Sequence, residues 1–390
     1  MDLTGEQKAR AHSIHYGSFI FDYYPLGLPL IFDEDIMEYV NKCVANGVDG
    51  NAAVIGLLRI YADRMERGGD TGAKTRERLE EAIRKAGVNC VAATMIDGGR
   101  PLSDYDAVLG GISLFKSICK GLHTVEQVCT LDEIEKAYEH GKTGLLFALQ
   151  DGGCVGEDLD RLDVLYNSGI RIIQLTYNAA NAIGCGCAGP PSAGLTDFGR
   201  KVVSRMNDLG IIVDLSHCNF QTTMDAIEAS ERPVAITHSA CKSVFDHARG
   251  KTDQELRALR EKDGYIGILM VPVFITDNPD PDFDIFIKHL RHAIDIVGIG
   301  RVGIGTDWGL WSPDVPKGLT QAMVDAAYRM GFKKEMKLRA GISLRGMDDY
   351  TDWIVITEAL VGAGFDDGEI KALFGGNFLS FLRKAASGKE

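Results

Sequence analysis

Ile211-Ile-Val-Asp-Leu-Ser-His-Cys218 and, a helical interval later, Pro233-Val-Ala-Ile-Thr-His-Ser239 are the stretches whose reading decides the fold. Each is a short apolar run rich in β-branched residues, the pattern of a strand buried on both faces of a parallel sheet. Phe220 to Arg232 between them has helical spacing, so the unit reads strand–helix–strand with a right-handed crossover. Each run ends in a histidine, His217 and His238. Two imidazoles at the carboxyl ends of neighbouring parallel strands face one mouth, where α/β barrels keep their chemistry. Neutral imidazole is the commonest metal ligand, and two converging from adjacent strands make half of a zinc-type site. The plainer alternative is that each histidine hydrogen-bonds within its own loop.

Working outward, the same alternation recurs along the chain. Apolar segments at 18–22, 88–95, 145–150, 170–175, 211–215, 233–237, 265–270 and 302–306 read as strands, nearly all separated by helical patterns. This predicts a (β/α)8 barrel of the TIM type, with a doubly wound open sheet as the alternative. A leading helix is expected over 1–17, a helical elaboration over about 23–84 broken at Gly47–Gly50 and Gly68–Gly69, and a loop over Ile96–Pro101. From about 317 a helical tail with a glycine break at Gly375-Gly376 is expected on the barrel exterior. The long Gly-, Ala-, Asn- and Pro-rich loop Thr176–Thr196 is of a length that compact domains keep for function. With no internal repeat and no low-complexity linker, residues 1–390 read as a single domain.

Composition narrows the function. A chain of 390 residues with 45% hydrophobic and 25% charged residues is that of a soluble globular protein. Its net charge of −13 lacks the positive footprint that nucleic acid or an anionic membrane requires. Met1–Arg10 is polar, with no apolar leader core, and no apolar run is long enough to span a bilayer. An odd count of 9 scattered cysteines fits a reducing compartment better than a disulfide framework. The expectation is a cytoplasmic protein acting on a small molecule, with neither nucleic acid nor membrane as partner.

Several expected strands carry a polar residue at or just past the carboxyl end: Asp22, Gln150, Tyr177, His217, His238 and Asp307. A constellation spread over distant strands is what barrel enzymes use. Asp307 suits a general base or acid beside a metal-bound water, or else caps the following turn. Arg249, in His247-Ala-Arg-Gly250, suits a bidentate clamp on a substrate carboxylate, with a surface salt bridge as the alternative. Cys185-Gly-Cys187 is spaced too closely for a zinc thiolate pair. Gly303-Ile-Gly305 reads as part of a strand, since no helix-opening GxGxxG follows one.

The chain resembles the membrane (renal) dipeptidase family of zinc peptidases over roughly residues 140 to 385. The resemblance rests on Gln174-Leu-Thr-Tyr-Asn178 with Asn181, Gly194-Leu-Thr-Asp-Phe-Gly-Arg200, Met206-Asn207, Asp214-Leu-Ser-His217 and Thr237-His-Ser239. It continues with His247-Ala-Arg249, Val302-Gly-Ile-Gly-Thr-Asp307 and Gly375-Gly-Asn-Phe378. It implies an amidohydrolase-like, metal-dependent (β/α)8 barrel, often dimeric, that hydrolyses dipeptides at a two-zinc centre. His217 and His238 match the histidines of one metal, Asp307 the acidic residue that handles the proton and the substrate amine, and Arg249 the arginine that holds the substrate carboxylate.

The departures are equally specific. The family's first strand ends in Asp-x-His-x-Asp, whereas here it ends Asp22-Tyr-Tyr-Pro-Leu26. Tyr24 and Leu26 therefore stand where the other metal's ligands belong. The bridging glutamate appears as Gln150, unless the register slips and Asp151 takes the role, and the histidine after Leu-Thr is Tyr177. A neutral amide cannot bridge two cations, and tyrosine with leucine cannot replace a His/Asp pair. The expectation is one zinc ion instead of two, with iron or manganese as other candidates. His217, His238 and Asp22 are the expected ligands, Gln150, Tyr177 and Arg249 bind substrate, and Asp307 is catalytic. The function expected is a hydrolase of a dipeptide or dipeptide-like small amide. The alternatives are a metal-dependent lyase or hydratase of a small carboxylate, and an inactive barrel that acts as a binding protein.

Overall fold

The computed structural model describes residues 3–95, 101–308, 315–339 and 341–386. Eight strands carry the fold: β1 Phe21–Tyr23, β2 Cys90–Thr94, β3 Thr143–Leu149, β4 Ile170–Gln174, β5 Ile212–Asp214, β6 Ala235–Cys241, β7 Tyr265–Ile268 and β8 Val302–Ile304. They pair in parallel, in chain order, from β1 through to β8. A doubly wound sheet would reverse strand order at a switch point; this one does not, and it is the expected barrel. Every apolar segment picked out in the sequence became one of these strands. The short strands Val125–Gln127 beside β3 and Gly250–Lys251 beside β6 lie off the barrel path. Segments of two or three residues are too short to show a period of two.

The strands read as continuous apolar runs because both faces are buried. Phe21, Cys90, Leu146, Ile172, Ile212 and Ala235 belong to the cluster that fills the barrel. Their strand neighbours Val91, Leu145, Ile173, Val213 and Ile236 face the surrounding helices. Between β8 and β1 the barrel is fastened by hydrogen bonds past the strand ends. The Asp307 amide donates to the Tyr23 carbonyl at 3.0 Å. The Asp22 carboxylate accepts from the Thr306 amide at 2.7 Å and from the Thr306 hydroxyl at 2.7 Å.

The elaboration folds as three helices, Glu34–Ala45, Gly50–Arg67 and Gly69–Ala86. Gly68 and Gly69 break the last two apart at φ 70° and 67°, the left-handed region that favours glycine. Helix Gly50–Arg67 lies against helix Lys317–Arg329, and residues from both line the cavity at the barrel mouth. The elaboration therefore roofs the mouth.

The end of the chain differs from expectation. Asp367–Lys371, a wide turn at Ala372–Gly376 and helix Asn377–Ala385 follow one another without a break. Gly375 serves close approach instead: a Cβ there would stand 2.4 Å from Phe19 Cδ1. The last helix is not on the outer wall. Phe378 stacks on Phe21 with ring centroids 3.4 Å apart, and Phe378, Phe381 and Leu382 join the barrel interior. It plugs the end opposite the mouth. Residues 96–100 of the expected loop after β2 lie outside the described residues. No helix among the described residues is long and apolar enough to cross a membrane.

Candidate active site

His217 and His238 meet at the mouth with ring centroids 5.3 Å apart. The His217 Nδ1 lies 2.8 Å from the Asn178 side-chain oxygen, which can only accept. That ring nitrogen therefore donates, and the lone pair sits on Nε2. For His238, Nδ1 lies 2.8 Å from the Thr237 hydroxyl, which itself donates to Asp214 at 2.6 Å. The hydroxyl proton is spent, so Nδ1 donates here too and Nε2 again carries the lone pair. Both Nε2 atoms are buried without a hydrogen-bond partner. Burial, and after it the Arg249 charge, hold both imidazoles well below their ordinary pKa, so they are neutral.

The positioning groups come from the loop after β4, the end of β5 and the loop after it, and β6. Asp214 accepts from the Ser216 amide and hydroxyl and from the Thr237 amide and hydroxyl, which locks the two histidine strands together. The loop Thr176–Thr196 returns to the same place: the Cys187 amide donates to the His217 carbonyl at 2.7 Å, and the Asn219 amide to the Cys185 carbonyl at 3.0 Å. The Cys187 thiol donates to the Asn178 oxygen, and the Cys185 thiol lies against the Pro190 carbonyl.

Two tyrosine rings cover the imidazoles. Tyr177 stacks on His217 and Tyr23 on His238, each with centroids 4.3 Å apart. The Tyr23 hydroxyl is buried beside the Thr94 hydroxyl, and neither pairs with any other group. Asp307 follows β8 in a left-handed backbone conformation at φ 50°, strain of the kind that persists at functional sites. Burial raises its carboxyl to about 7, Arg249 pulling it down and Asp22 and Asp214 pushing it up. A cavity of about 210 Å³ opens over this floor, with Thr94, Gln150, Tyr177 and Asp307 in its wall.

The structure bears on one expected ligand, Asp22, and on two alternatives, the register slip to Asp151 and a surface place for Arg249. Asp22 is not free to bind a metal: besides Thr306 it accepts from the Tyr350 hydroxyl at 2.9 Å and lies 3.4 Å from the Trp353 indole nitrogen. Four donors engage its two oxygens, and its place is in the barrel closure. Asp151 does not slip into the position of Gln150. It accepts from the Gly153 amide and the Asn181 amide nitrogen, while Gln150 faces the cavity. Arg249 is no surface residue: at 1% exposure it donates to the Ser216 and His238 carbonyls, leaving Nε unpaired. Tyr23 and Thr94 were missed. Tyr23 was detectable, since it is two residues after the inward-facing Phe21 and a strand repeats its face every second residue.

The fold family implies a metal, and the donor set can be tested against one. Two buried, neutral imidazoles with unpaired Nε2 atoms, each oriented through Nδ1, fit one ion. The Tyr24 hydroxyl donates to the Leu28 carbonyl and its ring stacks on Tyr350, while Leu26 lines the cavity. Among the described residues no group of three or more His, Cys, Asp or Glu side chains is placed to hold an ion.

Solved structures share the architecture. An amidohydrolase from Pseudomonas aeruginosa superposes with a TM-score of 0.72 at 22% identity, over 96% of this chain and 99% of its own. The probable dipeptidase PvdM from Pseudomonas aeruginosa gives 0.71 at 16% identity, over 98% and 99%. A metallo peptidase from Rhodobacter sphaeroides, solved with a phosphinate mimic of the dipeptide L-Ala-D-Ala, gives 0.68 at 19% identity, over 94% and 99%. At these identities the likeness carries the fold. The family assignment comes from the sequence: the membrane dipeptidase family, peptidase family M19, matches over residues 69–325. That span contains β2 through β8 and stops short of the divergent Asp22–Leu26 segment. With more than half of its length matched, and with His217, His238, Arg249 and Asp307 inside the match, the chain belongs to the membrane dipeptidase family.

Proposed function

We propose that this protein is a hydrolase of a small amide or dipeptide-like substrate that works with one metal ion, zinc in the first instance. The observation that carries the reading is the pair of buried, neutral, unpartnered Nε2 atoms of His217 and His238 in a chain of this family. These two atoms would hold the ion, with the Gln150 amide oxygen as the third protein donor in place of Asp22. An ion held there would supply a Lewis acid that polarises the scissile carbonyl.

The remaining work falls to this chain's own groups. The unpaired Nε edge of Arg249 meets the substrate carboxylate and fixes the amide. Asp307, poised near neutrality, takes a proton from the attacking water and passes it to the departing nitrogen. The water oxygen becomes bonded to the carbonyl carbon, the C–N bond breaks, and a carboxylic acid and an amine leave. Tyr177 and Tyr23 keep water from the faces of the two imidazoles.

The test is metal content per chain on gently purified protein, wild type and His217→Ala, paired with an amide-cleavage screen. About one ion per chain, lost in the variant, together with cleavage of a small amide, is the expected result. Two ions per chain would contradict the single-ion part. No amide turnover by protein loaded with zinc, manganese or iron would contradict hydrolysis.

A further inference from the structure

We propose that the cavity over the floor of the site selects amides with an apolar acyl group, so that the substrate class is N-acyl amino acids and not dipeptides with a free amine. This rests on the hydrolase reading above and names its substrate. The walls argue for it. Leu26, Val54 and Leu58 come from the region before β2, and Phe274, Met330 and Phe332 add apolar lining from later in the chain. Among the described residues, polar lining is confined to Thr94, Gln150, Tyr177 and Asp307 on the floor, with Asn51, Thr320 and Arg339 elsewhere on the wall.

A charged or peptide-like group pushed up between those walls would lose water with too few partners to replace it, which is costly. An alkyl or aryl group gains from the same transfer. Leu26 sharpens the point, because the residue at a family metal-ligand position is here part of an apolar wall. With the substrate carboxylate given to Arg249 in the reading above, the acyl end of the amide is the part left for the cavity. At about 210 Å³ the space is smaller than the roughly 300–1,000 Å³ of sites for drug-sized ligands, which fits a short acyl chain.

The probes are the ketone isosteres of N-acetylglycine and N-hexanoylglycine, with CH2 in place of the amide NH, titrated calorimetrically into zinc-loaded wild-type protein. Burying four further methylenes tightens Kd by on the order of 100-fold. Ala327→Trp, which fills the cavity, and Met323→Gln, which makes its wall polar at nearly constant size, should each reduce that ratio at least about tenfold while leaving the acetyl compound's affinity unchanged. Equal Kd values for the two probes, or a ratio that survives both substitutions, would overturn the proposal. If N-acetylglycine or glycylglycine were cleaved all the same, the hydrolase reading would stand without it. A steep chain-length dependence with no amide cleaved would uphold the apolar site and remove the hydrolase.

Discussion

Asp307 combines two costs that a structural residue would not carry: a carboxyl that burial raises to about 7, and a left-handed backbone at φ 50°. Asparagine tolerates that backbone and never ionises, so Asp307→Asn separates function from stability. Loss of general acid–base catalysis should lower kcat/KM by about 10²–10⁴-fold. The folded-state pKa lies above the unfolded one, so the native protein holds the extra proton between about pH 4 and 7. Wild-type stability therefore falls as pH rises through that window and levels off above it. The variant should gain on the order of 4 kcal/mol relative to wild type at pH 8 and little at pH 4, which urea melts at the two pH values would show. In wild type, kcat/KM should rise as pH passes about 7, because the base must be ionised to accept a proton; a rate that fell through that range would reverse the role given to Asp307.

At the scale of elements, Asp22 does the work of a strand pairing. β1 and β8 are short, and the Asp22 carboxylate spans them with the Thr306 amide and hydroxyl while receiving Tyr350 from the tail. Asp22→Ala strands several buried donors, each worth about 1–3 kcal/mol. It should lower unfolding free energy by about 3 kcal/mol or more while zinc per chain stays unchanged in the folded fraction. Loss of the metal from protein that still melts like wild type would restore Asp22 as a ligand. The sequence could not make this distinction, because an aspartate at a strand end looks the same whether it faces a cation or a threonine. Where the physics was local, the sequence was legible. Apolar runs gave all eight barrel strands and, with them, the meeting of the two strand-end histidines. The roles of Asp22, Asp151 and Tyr23 depend on partners far along the chain, including Thr306, Asn181 and His238, and no periodicity encodes such pairings.

Over the whole molecule, the additions to the barrel divide between its two ends. The last helix plugs one end, with Phe378 stacked on Phe21 and Phe381 stacked on Tyr265. Helices Gly50–Arg67 and Lys317–Arg329 roof the other. Phe378→Ala should cost about 3–5 kcal/mol with little change in ligand affinity, since the plug is at the end away from the mouth. The roof responds in the opposite way. A Cβ on Gly50 would stand 2.5 Å from the Met323 amide nitrogen and 2.6 Å from the Ala322 carbonyl carbon, so backbone itself would have to move. Gly50→Val should push the two helices apart, widen the cavity between Val54 and Met323, and admit water to its apolar walls. The expected outcome is a modest fall in melting temperature with a larger rise in KM for apolar acyl amides than for short polar ones. If KM rose equally for both, the roof would act on access to the floor and not on the choice of acyl group.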